Sequence, residues 1–460
     1  MNTSLDLFAR SERETAIETL HSATALYTRD PVVLELLDEI AWPRGGGATI
    51  DTSCGDGAFL ARAVERLIAA EADITLDALA QRVHGWEIHP LAASDARTRV
   101  AHTLAQHGFC PIRATLAAGE MIRCGDFLME GPAKGLYRAV VGNPPYLRML
   151  NVPQLLRAEY EQVLPAYARA DLLHSFIDRC ANVLEPDGEF AMVTADRWLF
   201  NEGAARLREV VGMRFVLAKV RRLDASSVFY RPKHRRAGTP PRIHPVAVVL
   251  QPVGQRGTAL GPRPIYPEAK GIESDVQLRL GEVADVRLAP WLGTPGIFLV
   301  ESHVTASWNQ SVCIPAIDTD DITGGQLRTP RRIALLTYPD RTPDTHVMAH
   351  LDRELPRMCP RGRGAVRWMP PEPFHRFDLS RPSLVVPRIA KTLKLVRVPA
   401  GVLPVNHNLS IINSGAMSLE AIVEALRSDE ANDWCCSRAA RLENGYFSFT
   451  TRLLRDVPIS

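Results

Sequence analysis

The hydrophobic residues in the first half of the chain form short apolar runs separated by longer stretches with few helix-breaking residues. Short apolar runs are typical of strands buried on both faces of a parallel sheet. They predict strands at 48–51, 83–88, 138–142, 189–194, 216–220 and 245–250. The longer stretches predict helices at 5–26, 32–40, 58–70, 92–107, 170–184 and 204–211. This alternation predicts an α/β fold built on a doubly wound parallel sheet with flanking helices.

The pattern changes after residue 250. Residues 251–267 are rich in Gly and Pro, which predicts a linker between two domains. From 268 to 460 the apolar runs are shorter and interrupted by prolines, with one clear helical stretch at 419–426. We therefore expect a first domain at 1–250, a linker at 251–267, and a second domain of the α+β type at 268–460.

Composition narrows the class of protein. The chain has 460 residues, 46% of them hydrophobic, and eight cysteines without a CxxC pair, which favours a reducing, cytoplasmic compartment. No apolar run of about 18 residues predicts a membrane span, and the N-terminus does not read as a signal peptide. His346 and His350 have metal-site spacing, but Val347 stands where a zinc protease needs glutamate. We expect no metal and no membrane association.

Charge is distributed unevenly between the two halves. Residues 1–230 carry 24 Lys and Arg against 30 Asp and Glu, a net charge of −6, whereas residues 231–460 carry 30 against 22, a net charge of +8. A basic half predicts a polyanionic partner such as nucleic acid, although a solvated basic surface is an equal alternative.

Three predicted strands end at acidic residues. Asp51 opens a glycine-rich turn with Ser53, Gly55 and Gly57, and glycines allow a backbone to approach a ligand closely. The turn is not G-x-G-x-x-G and lacks the lysine of a P-loop. The two further strand ends are Glu87-Ile88 and Asp126-Phe127. Alone, the glycine-rich turn also fits an ordinary strand–helix turn, and Glu87 also fits a surface glutamate. The order of the three strand ends is the informative feature.

A fourth strand end carries Asn143-Pro144-Pro145-Tyr146. Two prolines prevent the strand or a helix from continuing, so a stiff turn falls at the carboxyl end of the strand, where open α/β sheets bind ligands. The turn offers an amide oxygen, backbone carbonyls and an aromatic face. This set favours a site that holds an exocyclic amine on a planar ring.

In this order the motifs resemble those of the gamma-type, Taq-like, N6-adenine-specific DNA methyltransferases. The resemblance covers residues 25–250 and implies a Rossmann-like class I methyltransferase sheet that uses S-adenosylmethionine, followed by a carboxy-terminal target-recognition domain. It implies catalytic roles for Asn143, Pro144, Pro145, Tyr146 and Phe229. It implies cofactor contacts by Tyr27, Thr28, Asp51, Ser53, Gly55, Gly57, Glu87, Ile88, Asp126 and Phe127. This chain departs from the pattern at Thr52-Ser53, in the long spacing to Glu87, and in the basic stretch 231–236 after Phe229.

The chemistry of such a site follows from the nucleophile. An aromatic amine is a poor nucleophile because its lone pair is delocalised into the ring. The side-chain oxygen of Asn143 and the carbonyl of Pro144 would accept its two N–H groups and direct the lone pair at the methyl group. Catalysis is then positioning and electrostatic stabilisation. A base in a duplex must be flipped out to reach this site, with Tyr146 and Phe229 stacking on it.

The second half is expected to contact double-stranded DNA. Arginine outnumbers lysine there, which suits phosphate and guanine contacts. The candidate residues are Arg328, Arg331, Arg332, Arg353, Arg357, Arg361, Arg363, Arg367, Trp368, Arg388, Lys391, Lys394 and Arg397. Residues 406–408 are either a base-reading element or a turn.

The sequence predicts a site-specific DNA adenine-N6 methyltransferase of a restriction–modification or phage-defence system, with restriction or defence proteins as possible partners. Two alternatives remain at this level. One is methylation of RNA or of a protein glutamine through the same tetrad, and the other is a non-catalytic DNA-binding subunit that retains the fold.

Overall fold

The computed structural model describes residues 11–230, 243–268, 278–323, 325–358 and 365–459. The chain divides into two units, Met1–Pro267 and Glu268–Ser460. Each unit has its own hydrophobic core, one in the first and three smaller clusters in the second.

The first unit contains helices on both sides of a large sheet. Its helices are α1 (Glu12–Thr24), α2 (Asp30–Asp38), α3 (Ala58–Ala70), α4 (Leu76–Arg82), α5 (Pro90–Gln106), α6 (Pro111–Met121), α7 (Phe127–Glu130), α8 (Gln154–Val163), α9 (Leu172–Val183), α10 (Arg197–Phe200), α11 (Ala205–Gly212) and α12 (Ala225–Val228). Its strands are β1 (Tyr27–Thr28), β2 (Thr49–Asp51), β3 (Val83–Glu87), β4 (Ile122–Cys124), β5 (Tyr137–Gly142), β6 (Leu184–Ala195), β7 (Phe215–Arg222), β8 (Phe229–Tyr230), β9 (Pro245–Pro252) and β10 (Thr258–Ala259).

Eight strands form the central sheet in the order β10-β7-β9-β6-β5-β2-β3-β4. Strands β4, β3, β2, β5 and β6 are parallel. The chain runs outward from β2 through β3 to β4 and then returns to β5 on the other side of β2. The strand order therefore reverses between β2 and β5, and in open α/β sheets ligands bind at the carboxyl ends of the strands at such a point.

The prediction of a wholly parallel sheet is wrong at one edge. Strand β9 pairs antiparallel with both β6 and β7. The apolar run at 245–250 predicts a buried strand, and β9 is buried. An apolar run carries no information on strand direction. Mixed sheets with an antiparallel edge region are common in doubly wound folds.

Residues 251–267, predicted as a linker, are part of the first unit. Strand β9 extends to Pro252, and Thr258 and Ala259 pair with β7 as the edge strand β10. The buried guanidinium of Arg208 donates to the carbonyls of Gly261 and Pro262. Glycine and proline there shape a packed edge of the sheet, so the domain boundary falls at 267/268 rather than across a linker.

Another difference concerns Tyr27 and Thr28, for which the sequence pattern predicts no strand. They form the short strand β1, which pairs antiparallel with Phe229 and Tyr230 of β8. Two-residue strands have no detectable periodicity, and this one depends on a partner about 200 residues away in the sequence. Helix α2 follows, with Pro31 in its first turn.

The second unit is α+β, as the irregular pattern predicted. Its strands form two four-stranded sheets and two smaller ones. Its strands are β11 (Ala284–Leu288), β12 (Leu299–Glu301), β13 (Cys313–Ile317), β14 (Ile322–Thr323), β15 (Gln326–Leu327), β16 (Arg332–Leu335), β17 (Ser383–Val386), β18 (Ile389–Ala390), β19 (Val396–Val398), β20 (Leu403–Pro404), β21 (Leu409–Asn413), β22 (Ala440–Arg441) and β23 (Phe447–Ser448). Its helices are α13 (Leu280–Val283), α14 (Thr345–Glu354), α15 (Leu419–Arg427), α16 (Asp429–Arg438) and α17 (Thr451–Arg455).

Gly57 joins strand β2 to helix α3 in a conformation that few other residues adopt. Its φ is +82°, and a Cβ at this position would lie 3.0 Å from Cα of Ala96 in α5. The backbone of α5 cannot retreat without separating two helices of the core. The glycine thus permits both the turn and the close packing of α3 on α5.

We expect Gly57→Ala to destabilise the first unit by about 3 kcal/mol, combining about 1–2 kcal/mol for a left-handed alanine with overpacking against α5. Gly108→Ala is the matched control, because Gly108 also has a positive φ of +89° but open space around its Cα. Urea unfolding measures both. Equal losses in the two variants would show that the contact with Ala96 is unimportant.

Candidate active site

A cavity opens at the carboxyl edge of the sheet, at the strand-order reversal between β2 and β5. It holds about 650 Å³ of open space including its mouth. Strand ends form its floor, and α1, α8 and α9 supply its walls. It is lined by Leu20, His21, Thr24, Ala25, Leu26, Tyr27, Thr52, Ser53, Gly55, Glu87, Ile88, Gly125, Asp126, Phe127, Asn143, Pro145, Tyr160, Leu172 and Phe176.

Asp51 lies beneath the cavity rather than in its wall. It is 1% exposed, and its Oδ1 accepts a hydrogen bond from the backbone N–H of Ser53 at 3.1 Å. Burial, together with the nearby carboxylates of Glu87 and Asp56, raises the pKa of Asp51 to about 8. A Cβ on Gly142 would lie 2.5 Å from this Oδ1, so glycine at the end of β5 leaves room for the carboxyl group.

Glu87 links the glycine-rich turn to the end of β3. Its Oε2 accepts from the N–H of Gly55 at 2.9 Å, and its Oε1 accepts from the N–H of His89 at 2.9 Å. Burial still raises the pKa of Glu87 to about 7, against the opposing effect of these hydrogen bonds. A Cβ on Gly55 would lie 2.9 Å from the ring of Tyr27, so this glycine keeps the turn close to the cavity wall.

A cluster of three aromatic side chains lies at the end of the cavity near β4. Phe127 and Phe176 are stacked, with centroids 5.8 Å apart and planes 21° apart, and Trp86 contacts Phe127 edge-on at 6.1 Å. Asp126 precedes Phe127, is 3% exposed, and caps α7 through the N–H of Leu128. Such a platform with a carboxylate beside it suits a planar heterocycle that carries an amine.

Asn143 lies where strand β5 ends. Its Nδ2 donates to the carbonyl of Leu26 at 2.7 Å, and its Oδ1 accepts from the hydroxyl of Tyr146. The amide is therefore oriented by partners on both of its ends. Among the described residues no donor contacts the carbonyl of Pro144, so this oxygen can accept a hydrogen bond from a ligand.

Tyr146 and Phe229 pack together behind Asn143. Tyr146 is 6% exposed, its hydroxyl also contacts the carbonyl of Val193 at 2.8 Å, and burial raises its pKa well above the usual range. Its ring centroid is 6.5 Å from that of Phe229. The two predicted stacking residues are neighbours, but neither lines the cavity, so a stacked base requires the Tyr146 ring to become accessible.

Most of the predicted site residues converge. Nine of them line the cavity: Tyr27, Ser53, Gly55, Glu87, Ile88, Asp126, Phe127, Asn143 and Pro145. The other six are not among its lining residues: Thr28, Asp51, Gly57, Pro144, Tyr146 and Phe229. The wall residues from α1, α8 and α9 could not be predicted from the sequence, because they lie on helices that carry no motif. The aromatic residues among them, Tyr160 and Phe176, lie on two different helices and show no spacing that indicates a site.

Several other predicted features have a structural explanation. His350 is buried, and its Nε2 contacts the carbonyl of Ile297, which explains it without a metal. Asn406 and Asn408 both donate to Asp318, and Asn406 has a positive φ, so residues 406–408 form a turn. Arg361, Arg363 and the basic stretch 231–236 lie outside the described residues.

Arg332 also has a structural role. It pairs with Asp318 and, at 2.7 Å, with the fully buried Asp321. Among the described residues, no group of His, Cys, Asp and Glu side chains is arranged to hold a metal ion. The same part of the chain contains no helix with the length and apolar character needed to cross a membrane.

A solved structure shares this fold. The type IIL restriction-modification enzyme MmeI, in complex with DNA, superposes on 97% of this chain and 65% of its own chain with a TM-score of 0.58 and 14% sequence identity. The fold is that of a class I methyltransferase, as the sequence predicted, and the cofactor of this class is S-adenosyl-L-methionine.

Sequence relatives narrow the class. Residues 99–229 match the family described as Eco57I restriction-modification methylase. The type II methyltransferase M.XhoI of Xanthomonas vasicola is 25% identical over 95% of this chain and 90% of its own length. M.PaeR7I of Pseudomonas aeruginosa is 32% identical over 43% of this chain and 36% of its own length. The chain is thus similar to type II methyltransferases, over most of its length in the case of M.XhoI.

The cavity fits this cofactor. The carboxylates of Asp56 and Glu87 lie close enough to Asp51 to raise its pKa. A ligand that carries a cationic sulfonium and an ammonium group would relieve the repulsion among these three carboxylates. The absence of a Cβ at Gly55 keeps the turn against the ligand space, and the platform of Phe127 and Phe176 would hold the adenine ring. The bound cofactor supplies an electrophilic methyl group.

The buried carboxyls should make the stability of the cofactor-free protein depend on pH. The folded-state pKa of Asp51 is about 8 and that of Glu87 about 7, both above their values in an unfolded chain. Their contribution to stability is complete below the unfolded pKa of about 4 and is lost as the pH rises through the folded values. We expect the Tm to fall between about pH 5 and pH 8.

Asp51→Asn should remove the contribution of Asp51 to the slope of Tm against pH, while the asparagine oxygen still accepts a hydrogen bond from the N–H of Ser53. Asp73→Asn is the control, because Asp73 is exposed and its replacement should leave the slope unchanged. Differential scanning calorimetry across the pH range measures the three proteins. A slope in Asp51→Asn as steep as that of the unaltered chain would contradict the assignment.

Proposed function

We propose that this protein transfers the methyl group of S-adenosyl-L-methionine to the exocyclic N6 of an adenine in double-stranded DNA. The observation that carries the proposal is the position of the Asn143-Pro144-Pro145-Tyr146 turn at the edge of the cofactor cavity. The turn follows β5, next to β2, so the amine-binding groups and the glycine-rich turn lie side by side. The hydroxyl of Ser53 contacts the carbonyl of Asn143 at 3.4 Å.

Asn143 and Pro144 would hold the amine. The Asn143 amide is anchored through Nδ2 to Leu26, which directs its Oδ1 away from that anchor. Oδ1 and the Pro144 carbonyl are two acceptors on adjacent residues, as two N–H groups of one amine require. Accepting both hydrogens raises the electron density on the nitrogen and stabilises the positive charge that develops on it during transfer.

Little further catalytic chemistry is required of the protein. The amine attacks the methyl group directly, the carbon–sulfur bond breaks as the nitrogen–carbon bond forms, and the proton leaves to solvent afterwards. Preorganisation of the two acceptors is the main contribution, because positioning of reactants lowers the barrier without an added catalytic group.

The hydrogen bond between Tyr146 and Asn143 has a consequence for the target base. The hydroxyl of Tyr146 occupies one acceptor position on Oδ1, while its second partner, the carbonyl of Val193, can retain it alone. An incoming amine would compete with Tyr146 for Oδ1. For the Tyr146 ring to stack on the flipped base, the ring would also have to leave Phe229 and its hydroxyl would have to release the carbonyl of Val193.

The second unit would read the DNA. Arg328, Arg331 and Arg388 are exposed and have no ion pair among the described residues. By contrast, Arg357 pairs with Glu354, and Arg397 pairs with Glu420. Cations without a protein partner contribute most to phosphate binding, since they lose no existing ion pair.

The alternatives are less well supported. The chain's relatives in sequence carry the names of type II DNA methyltransferases, and the basic second half suits nucleic acid rather than a protein glutamine. A non-catalytic subunit would have no need for the Glu87–Gly55 hydrogen bond and an intact Asn143 turn. We place the enzyme in the cytoplasm within a restriction–modification or defence system, with a restriction protein as its possible partner.

Asn143→Ala should reduce the methylation rate by at least about 10³-fold, because it removes one of two preorganised acceptors and the anchor to Leu26. DNA affinity should stay within about threefold, since Asn143 lies in the first unit. Asn182→Ala is the control, because Asn182 makes a side-chain hydrogen bond to the Asp178 carbonyl away from the cavity. Methyl transfer and DNA binding are measured on all three proteins. An active Asn143→Ala enzyme would reject the mechanism.

Arg328→Gln, Arg331→Gln and Arg388→Gln should each weaken DNA binding and lower the slope of log affinity against log salt by about 1. Arg206→Gln serves as the control, because Arg206 is an exposed arginine of the first unit that pairs with Glu209. Fluorescence anisotropy at several salt concentrations gives the slopes. If all four variants keep the slope of the unaltered protein, the basic surface of the second unit does not bind DNA.

A further inference from the structure

Asp126 is held by more donors than its role as a helix cap requires. Its Oδ1 accepts from the N–H of Leu128 at 3.1 Å. Its Oδ2 accepts from the hydroxyl of Tyr160 at 3.0 Å and from Nη2 of Arg13 at 3.4 Å. These donors fix the plane of the carboxylate at the cavity wall and leave its remaining acceptor capacity to a ligand.

The two side-chain donors come from different helices that border the cavity. Tyr160 lies on α8, is 2% exposed, and itself lines the cavity. Arg13 lies in the first turn of α1 and also pairs with Glu159 of α8. Asp126 is thus the point at which α1, α8 and the end of β4 are joined by hydrogen bonds.

These donors matter because the carboxylate is desolvated. Asp126 is 3% exposed, and burial raises its pKa, while the hydrogen bond from Tyr160 and the charge of Arg13 act in the opposite direction. A carboxyl group accepts a hydrogen bond from an amine best when it is ionised. Tyr160 and Arg13 therefore favour the form of Asp126 that can accept such a bond.

We propose that Tyr160, assisted by Arg13, is a positioning residue that orients Asp126 as the acceptor for the 6-amino group of the cofactor's adenine, and that this contact sets the preference for adenine over a purine without that amine. The inference rests on the proposed cofactor and adds a residue that no motif indicates. Neither Tyr160 nor Arg13 touches the reacting atoms in this account.

The chain offers a matched control for a test. Tyr167 also donates to a carboxylate, Oδ1 of Asp178, at 2.8 Å, and neither residue lines the cavity. Tyr160→Phe and Tyr167→Phe therefore remove the same kind of hydrogen bond from one domain, at the cavity and away from it. Both replacements keep the ring and its packing.

The experiment measures binding of two ligands to the full-length protein by isothermal titration calorimetry. One ligand is S-adenosylhomocysteine, and the other is its analogue with hydrogen in place of the 6-amino group. Because the 6-amino group would donate a hydrogen bond to a charged carboxylate, we expect the unaltered protein to bind S-adenosylhomocysteine about tenfold more tightly than the analogue. Tyr160→Phe should lose most of that ratio and keep its affinity for the analogue, while Tyr167→Phe should match the unaltered protein.

Methylation kinetics give a second readout. Tyr160→Phe should raise the KM for S-adenosylmethionine by about tenfold and leave kcat within about twofold, since Tyr160 acts on cofactor binding and not on the transferred methyl group. Arg13→Met should shift the KM in the same direction by a smaller factor, because its contact with Asp126 is longer and more exposed.

The outcomes separate the inference from the proposed function. Equal weakening of both ligands by Tyr160→Phe, or a ratio that it leaves unchanged, would overturn the positioning role while methyl transfer by the unaltered protein still stands. Failure of the unaltered protein to bind S-adenosylhomocysteine or to methylate DNA would reject the proposed function, and the inference with it.

Discussion

The site depends on the hydrogen bond between the N–H of Gly55 and the carboxylate of Glu87. This 2.9 Å contact joins the turn after β2 to the end of β3 and so fixes the two strand ends that border the cavity. It requires a buried carboxylate, a glycine that approaches Tyr27 closely, and a second donor from His89. Burial of acidic groups at this edge is costly, and a cationic ligand offsets that cost.

The central strands and their acidic ends could be predicted from the sequence because both signals are local. Each buried strand is a short apolar run, and the carboxylate or amide at its end follows immediately, as at Asp51, Glu87 and Asn143. The parallel order then brings these ends together without further information. The antiparallel direction of β9 and the pairing of β1 with β8 depend on long-range contacts, which periodicity does not encode.

The residues that form the walls of the cavity could not be predicted from the sequence, for a different reason. Tyr160 and Phe176 occupy apolar positions of amphipathic helices, where an aromatic side chain is expected for packing alone. Their role depends on which face of α8 or α9 covers the sheet edge. The surroundings of Tyr146 could not be predicted either. Its position in the motif indicates a ring that stacks on a base, whereas in the structure the ring packs on Phe229 and the hydroxyl donates to Asn143.

The central claim is that the Asn143 turn methylates the 6-amino group of adenine, and nucleoside analysis tests it most directly. Duplex DNA without methylated bases would be incubated with the protein and S-adenosylmethionine carrying a deuterated methyl group, then digested to nucleosides for mass spectrometry. We expect deuterated N6-methyldeoxyadenosine among the nucleosides. Label on cytosine alone, or no label in DNA under conditions in which the protein binds both the cofactor and the duplex, would contradict it.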